Sequence, residues 1–109
     1  MKILITENKR DTLFRAEFKN LFNKLTPTRN GVGNITYIYF DEVYEDDAIT
    51  TALIYRPGNR RLVIYPDYFI SLRMFVSSEE EFEEMIEICY EELTDNHVLY
   101  SQIWVDNEL

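Results

Sequence analysis

Apolar residues recur along this chain with two different periods, and the change from one to the other marks out its elements. Between Glu7 and Leu25, the residues Phe14, Phe18, Leu21, Phe22 and Leu25 fall at i, i+4, i+7, i+8 and i+11, with Leu13 flanking. That spacing is one face of an amphipathic helix. Thr6 serves as its N-cap, or Asp11 does, since the intervening ENKR is polar all round. Ahead of it, Lys2 to Ile5 reads as a short strand or a tether. Pro27 stops the helix, and TPTRNGVGN over 26–34 reads as a flexible loop from its Gly, Asn and Pro content. Ile35 to Phe40, ITYIYF, is β-branched and aromatic with both faces largely apolar, so it reads as a central strand. Ile49 to Tyr55 predicts a second strand and Arg61 to Tyr65 a third. Between them, Arg56-Pro57-Gly58-Asn59 predicts a hairpin turn, with proline fixing φ at one position and glycine supplying a positive φ at the next.

Asp67 can cap a short helix in which Tyr68, Phe69, Leu72 and Phe75 share one side; a fourth strand over YFISLRMFV is the competing reading. The helical period returns in 77–95, SSEEEFEEMIEICYEELTD, where Phe82, Met85, Ile86, Cys89 and Leu93 form an apolar stripe. Ser77 with Glu80, or Ser78 with Glu81, makes a capping box at its start. After a break at Asp95-Asn96, Val98 to Val105 predicts a last strand with Val98, Tyr100 and Trp104 on one face. The element order is α-β-β-β-α-α-β. The predicted fold class is α+β, an antiparallel sheet of about four strands with helices packed on one face, in a single domain over 1–109.

Charge changes this picture at one place. The chain has 20 acidic and 11 basic residues, a net of −9, and nine of the acids are Glu79, Glu80, Glu81, Glu83, Glu84, Glu87, Glu91, Glu92 and Asp95. Without that stretch the signs balance, so the imbalance of the protein is this helix and its exit. Glu79 to Glu81 sit where the helix macrodipole favours negative charge. Like charges at i,i+4, as in Glu80 and Glu84 or Glu83 and Glu87, each cost a few tenths of a kcal/mol, which a cationic partner would relieve. A solvated, solubilising face is the plainer explanation of the same pattern. Residues 1–29 are locally basic, through Lys2, Lys9, Arg10, Arg15, Lys19, Lys24 and Arg29. Direct nucleic-acid binding through that helix, or through Arg56, Arg60 and Arg61 at the hairpin tip, is opposed by the net charge, which repels a polyanion.

Candidate chemistry is sparse. At 46% apolar and 15% aromatic, the composition excludes a disordered acidic tail. One cysteine excludes an internal disulfide, and Cys89 lies on the apolar stripe, which predicts a buried thiol whose glutamate neighbours raise its pKa rather than activate it. His97, the single histidine, reads as a surface or capping residue at the helix exit. Asp41, Glu42, Glu45, Asp46 and Asp47 offer oxygen ligands for a divalent ion but lack the alternating spacing and central glycine of an EF-hand loop, so an acidic turn is the expected reading. There is no Gly-rich phosphate loop, CxxC, HExxH or GxSxG, and no cofactor is implied. Asn34-Ile35-Thr36 fits a glycosylation sequon, without meaning unless the chain is secreted. The opening MKILIT has an apolar run of only three residues, too short for a signal peptide, and no stretch approaches a membrane span of ~20 residues. A cytoplasmic protein is expected.

The opening MKILITEN, the later GNRRLVIYPDYF and the stretch EEEFEEMIEICYEEL before a short terminal strand resemble a group of small uncharacterised proteins of tailed bacteriophages. That group has an ITE-type start, a G-x-L-x-I strand, a short aromatic helix and a Glu-rich helix ending in EEL or EEH. The similarity touches about half of the chain; where the group tends to have tryptophan in its acidic helix, this chain has Cys89 and Tyr90. The resemblance implies a phage or mobile-element source, hence the host cytoplasm, and an accessory protein rather than an enzyme. Taken with the charge, it leads to the expectation of a non-enzymatic protein that binds a basic partner through the Glu-rich helix, such as a host nucleic-acid-binding or defence protein, as a nucleic-acid mimic or inhibitor. Glu80, Glu83, Glu84, Glu87 and Glu91 are the expected contacts and Glu92 a rim residue, with Tyr44 and the acids of 41–47 extending the surface. Two alternatives stay open: a virion structural or homo-oligomeric protein using its sheet edge and its tyrosines, and a carboxylate-based divalent-metal enzyme.

Overall fold

Three helices pack on one face of a five-stranded sheet, in the α+β arrangement expected from the two periods. The computed structural model describes residues 2–33, 35–43 and 48–105, with side chains described from residue 9 onward except those of Val43 and Ala48. Helix α1 spans Lys2–Phe22, strands β1 to β4 span Thr26–Asn30, Thr36–Val43, Ala48–Arg56 and Arg61–Ile64, a 3₁₀ helix covers Pro66–Phe75, helix α2 covers Glu79–Thr94, and β5 is Tyr100–Ile103. Strands lie side by side in chain order, antiparallel except for β4 and β5, which are parallel. Parallel neighbours need a long crossover. The 3₁₀ helix and α2 supply it.

Several expectations are corrected here. The N-terminal segment from Lys2 is helical, neither strand nor tether, so Thr6 and Asp11 lie inside α1 rather than capping it. Thr26–Asn30, expected as loop, is an edge strand paired with Thr36–Phe40. Its five residues are all exposed, so no alternation betrays it, and an edge tolerates Pro27. Gly31 and Gly33, both at positive φ, turn the chain back from it. At the hairpin between β3 and β4 the left-handed residue is Arg60, at φ 55°, rather than Gly58. Residues 67–75 are helical, as preferred, but in a 3₁₀ form broken at Phe69. The last strand is shorter than 98–105: Val98 is buried ahead of it, while Tyr100 and Trp104 face the other way, half exposed. Asn34 and Tyr44 to Asp47, hence the sequon and the acidic turn, lie outside the described residues.

Register decides which residues meet the helices. Tyr39, Leu53 and Ile64 align across β2, β3 and β4, as do Tyr37, Tyr55 and Leu62, and these side chains enter the core with Phe14 and Phe18 of α1 and with Phe69 and Leu72. The Phe18 ring stacks on Phe69 at 5.5 Å between centroids. From α2 the core takes Phe82, Ile86, Cys89 and Tyr90, with Met85 partly buried, whereas Leu93 of the predicted stripe stays exposed. Tyr90 takes its place because a buried phenol is stable only with a hydrogen-bond partner, and here it has two. Its hydroxyl lies 3.0 Å from that of Tyr39 and accepts from Asn96 Nδ2 at 3.0 Å. Tyr55 donates to the His97 carbonyl at 2.6 Å, tying the exit of α2 to the sheet.

Candidate docking site: the acidic row of helix α2

Helix α2 begins where its sequence says it should. Ser78 is the N-cap and its hydroxyl accepts from the Glu81 N–H at 3.0 Å, while Glu81 Oε1 accepts from the Ser77 N–H at 2.7 Å and from the Ser77 hydroxyl at 2.8 Å. The capping box is therefore the Ser78–Glu81 one, with its return arm reaching one residue further back. Those bonds hold the Glu81 carboxyl below the ordinary carboxylate range. The helix ends at Asp95, in the left-handed region at φ 63°. Both ends being fixed and one side docked, the carboxylates have defined positions.

At ~100° per residue, Glu80, Glu84, Glu87 and Glu91 fall within ~60° of one another, opposite Phe82, Ile86 and Cys89, with Glu83 at their flank. All five expected contact residues thus share one side of α2. What faces each of them differs. Glu80 and Glu84 are exposed, Glu83 and Glu87 half-buried. Burial, the largest influence, pushes the Glu83 carboxyl up, a hydrogen bond with Ser101 of β5 partly offsets it, and repulsion from Glu87, Glu79 and Glu80 adds to it. Glu91 is taken up by its own chain: it accepts from the Val98 N–H at 2.7 Å and lies 3.0 Å from His97 Nδ1. His97 accordingly sits at the helix exit beside a carboxylate.

Two acids outside this row, Glu79 and Glu92, meet cations of the chain. Arg73 holds Glu79 through two bonds of 2.5 and 3.1 Å and lowers its carboxyl. Arg15 of α1 pairs with Glu92, so the expected rim residue instead braces α2 against α1. Neither pairing is visible in the sequence, because Arg15 and Glu92 come together only through the packing of Phe14 and Phe18 on α2's apolar side. Of the expected extension, Asp41 turns to the helix side and accepts from the Tyr68 hydroxyl at 3.0 Å, and Glu42 lies on the opposite face of the sheet. Neither joins the row.

Other candidate chemistry resolves into packing. Cys89 is buried, and burial above all pushes its thiol up to about 12, with Glu92 and Asp11 adding and Arg15 opposing. Among the described residues, no three His, Cys, Asp or Glu side chains converge on a point where a metal ion could be held. No helix among them is long and apolar enough to cross a membrane. Comparison of the chain with protein-family models, curated proteins and solved structures finds no match.

Proposed function

We propose that this is a non-enzymatic accessory protein, of the kind its phage-like sequence features imply, that docks on a basic protein through Glu80, Glu83, Glu84 and Glu87. The observation that carries the reading is the division of the helix's acids. The chain supplies cations to Glu79 and Glu92 and takes up Glu91, yet leaves four carboxylates crowded on one side, one of them with its charge disfavoured by burial and by its neighbours. A partner's Lys or Arg side chains would relieve that crowding and steer association at long range.

Magnitudes limit the mimicry. From Glu80 to Glu87 the helix rises ~10 Å and its outward row carries four charges, where duplex DNA carries about six over the same length. The row can stand in for a short stretch of phosphates. Binding through it is expected to weaken steeply with salt, since exposed charges are screened beyond ~8 Å at physiological ionic strength. The test is retention of a partner at rising salt by the wild type and by Glu83→Lys/Glu84→Lys/Glu87→Lys. The expected result is a partner lost in the variant and released from the wild type by salt or by duplex DNA. Equal retention by both proteins would overturn the reading.

A further inference from the structure

The sheet has a second face, and among the described side chains no helix covers it. Residues alternate with those of the core, so the register puts Ile38, Phe40, Ile54, Val63, Tyr65 and Trp104 on this side. None of them joins the core cluster. Trp104 is 47% exposed and stacks on Tyr65 at 5.4 Å. At one end, Arg56 and Arg61 are cross-strand partners. Arg61 lies over the Tyr100 ring, 5.9 Å from its centroid, and its Nε–H is shielded from water with no acceptor among the described residues. At the other end stand Glu42, opposite an exposed Ile49, and Asp67 just beyond β4. The face is apolar in the middle, basic at one end and acidic at the other.

We infer that this face binds a second copy of the chain, sheet against sheet, about a two-fold axis lying in the interface and running across the strands. That operation reverses the strand direction, so the basic end of each copy meets the acidic end of the other, twice. A two-fold axis along the strands would instead set like charges together. Four or five strands at ~4.8 Å and about seven residues at ~3.4 Å make a face of roughly 500 Å², so pairing buries about 1,000 Å² in all, the lower bound for a specific interface. The net charge does not forbid it. The acidic rows of the two α2 helices end up on the outer sides, three layer spacings of ~10 Å apart, well beyond a Debye length of ~8 Å. The inference is independent of the role proposed for α2, and the lysine variant above keeps this face intact.

Light scattering of the full chain at micromolar concentration tests it by charge exchange. The wild type is expected at twice the chain mass. Arg56→Glu/Arg61→Glu, which brings acid against acid, and Glu42→Arg/Asp67→Arg, which brings base against base, are each expected at the chain mass. An equimolar mixture of the two is expected to regain the doubled mass, because each then offers the end the other lacks. The protein carrying all four substitutions is expected to do so alone, which also shows that the altered chain folds. A wild type at the chain mass, reversals that both stay dimeric, or a mixture and a fourfold variant that both stay monomeric would overturn the inference.

Discussion

Glu79 and Glu83 are one turn apart on the same helix, and they stand in opposite electrostatic circumstances. Glu79 meets the guanidinium of Arg73, which lowers its carboxyl; Glu83 meets Ser101, Glu87 and Glu80 at the margin of β5, and its carboxyl is raised. The contrast separates acids that hold the fold together from acids that the fold merely presents. Matched carboxylates lie at the flanks of α2, where the 3₁₀ helix and α1 can reach them. Unmatched ones lie along its outward side, where no cation among the described residues pairs with them. A uniform solubilising face would show no such division, so the division is what an account of function has to explain.

The largest expected effect comes from removing what orients the helix. Tyr90 is fully buried and bonded to Tyr39 and Asn96, so Tyr90→Ala is expected to cost about 3–5 kcal/mol in denaturant unfolding. Such a loss would erase the distinction between the two groups of acids, because α2 would no longer present a fixed side. A cost under about 1 kcal/mol would mean that the helix is held by something other than its stripe.

Alkaline pH attacks the same anchor. The thiol of Cys89 and the phenols of Tyr39, Tyr55, Tyr68 and Tyr90 are all raised in the folded chain, chiefly by burial. A raised group contributes stability that is complete below its unfolded value and lost as the pH climbs through its folded one. For Cys89 that window runs from 9.0 to about 12, and the tyrosines join above 10.0. Stability is therefore expected to hold up to about pH 9 and to fall steadily above it; a flat urea midpoint across that window would contradict the burial of these groups.

Removing the cap is expected to act more weakly. Ser78→Ala deletes the acceptor for the Glu81 N–H and should cost about 1 kcal/mol. Partner binding should be little changed by it if the row from Glu80 onward stays helical, which circular dichroism would show. The smallest pair of effects tests the contrast itself. Glu79→Gln should lose up to about 1 kcal/mol, because the pair with Arg73 is largely exposed. Glu83→Gln should be neutral or stabilising by a few tenths of a kcal/mol at neutral pH, since like-charge repulsion is relieved while a carbonyl still faces Ser101. The pH signs are opposite too. The lowered Glu79 contributes stability above 4.5 that is lost as the pH falls through its folded value. The raised Glu83 contributes only below 4.5 and loses that contribution as the pH rises. Equal signs for the two glutamines would dissolve the contrast.

Local physics was enough for much of the architecture. The periods of α1, α2, β2, β3 and β4 follow from residues a few positions apart, and so do the cap at Ser78 and the stop near Asp95, because each is decided by neighbours in the chain. The five glutamates on one side of α2 are also a matter of helical spacing alone. The exposed edge strand β1 escaped because it carries no apolar alternation, and Tyr90 was missed because helical spacing sets it ~100° round from Cys89, at the margin of the stripe.

Long-range placement decided the rest. Which acids are neutralised depends on where Arg15 and Arg73 arrive after folding, at separations in sequence that spacing rules do not reach. Apolar residues on both sides of β2 were plain in ITYIYF, but an apolar face does not reveal whether a helix will cover it. Only the crossover between β4 and β5 settled that: it carries the 3₁₀ helix and α2 to the same side as α1, and among the described residues no helix lies on the other side of the sheet.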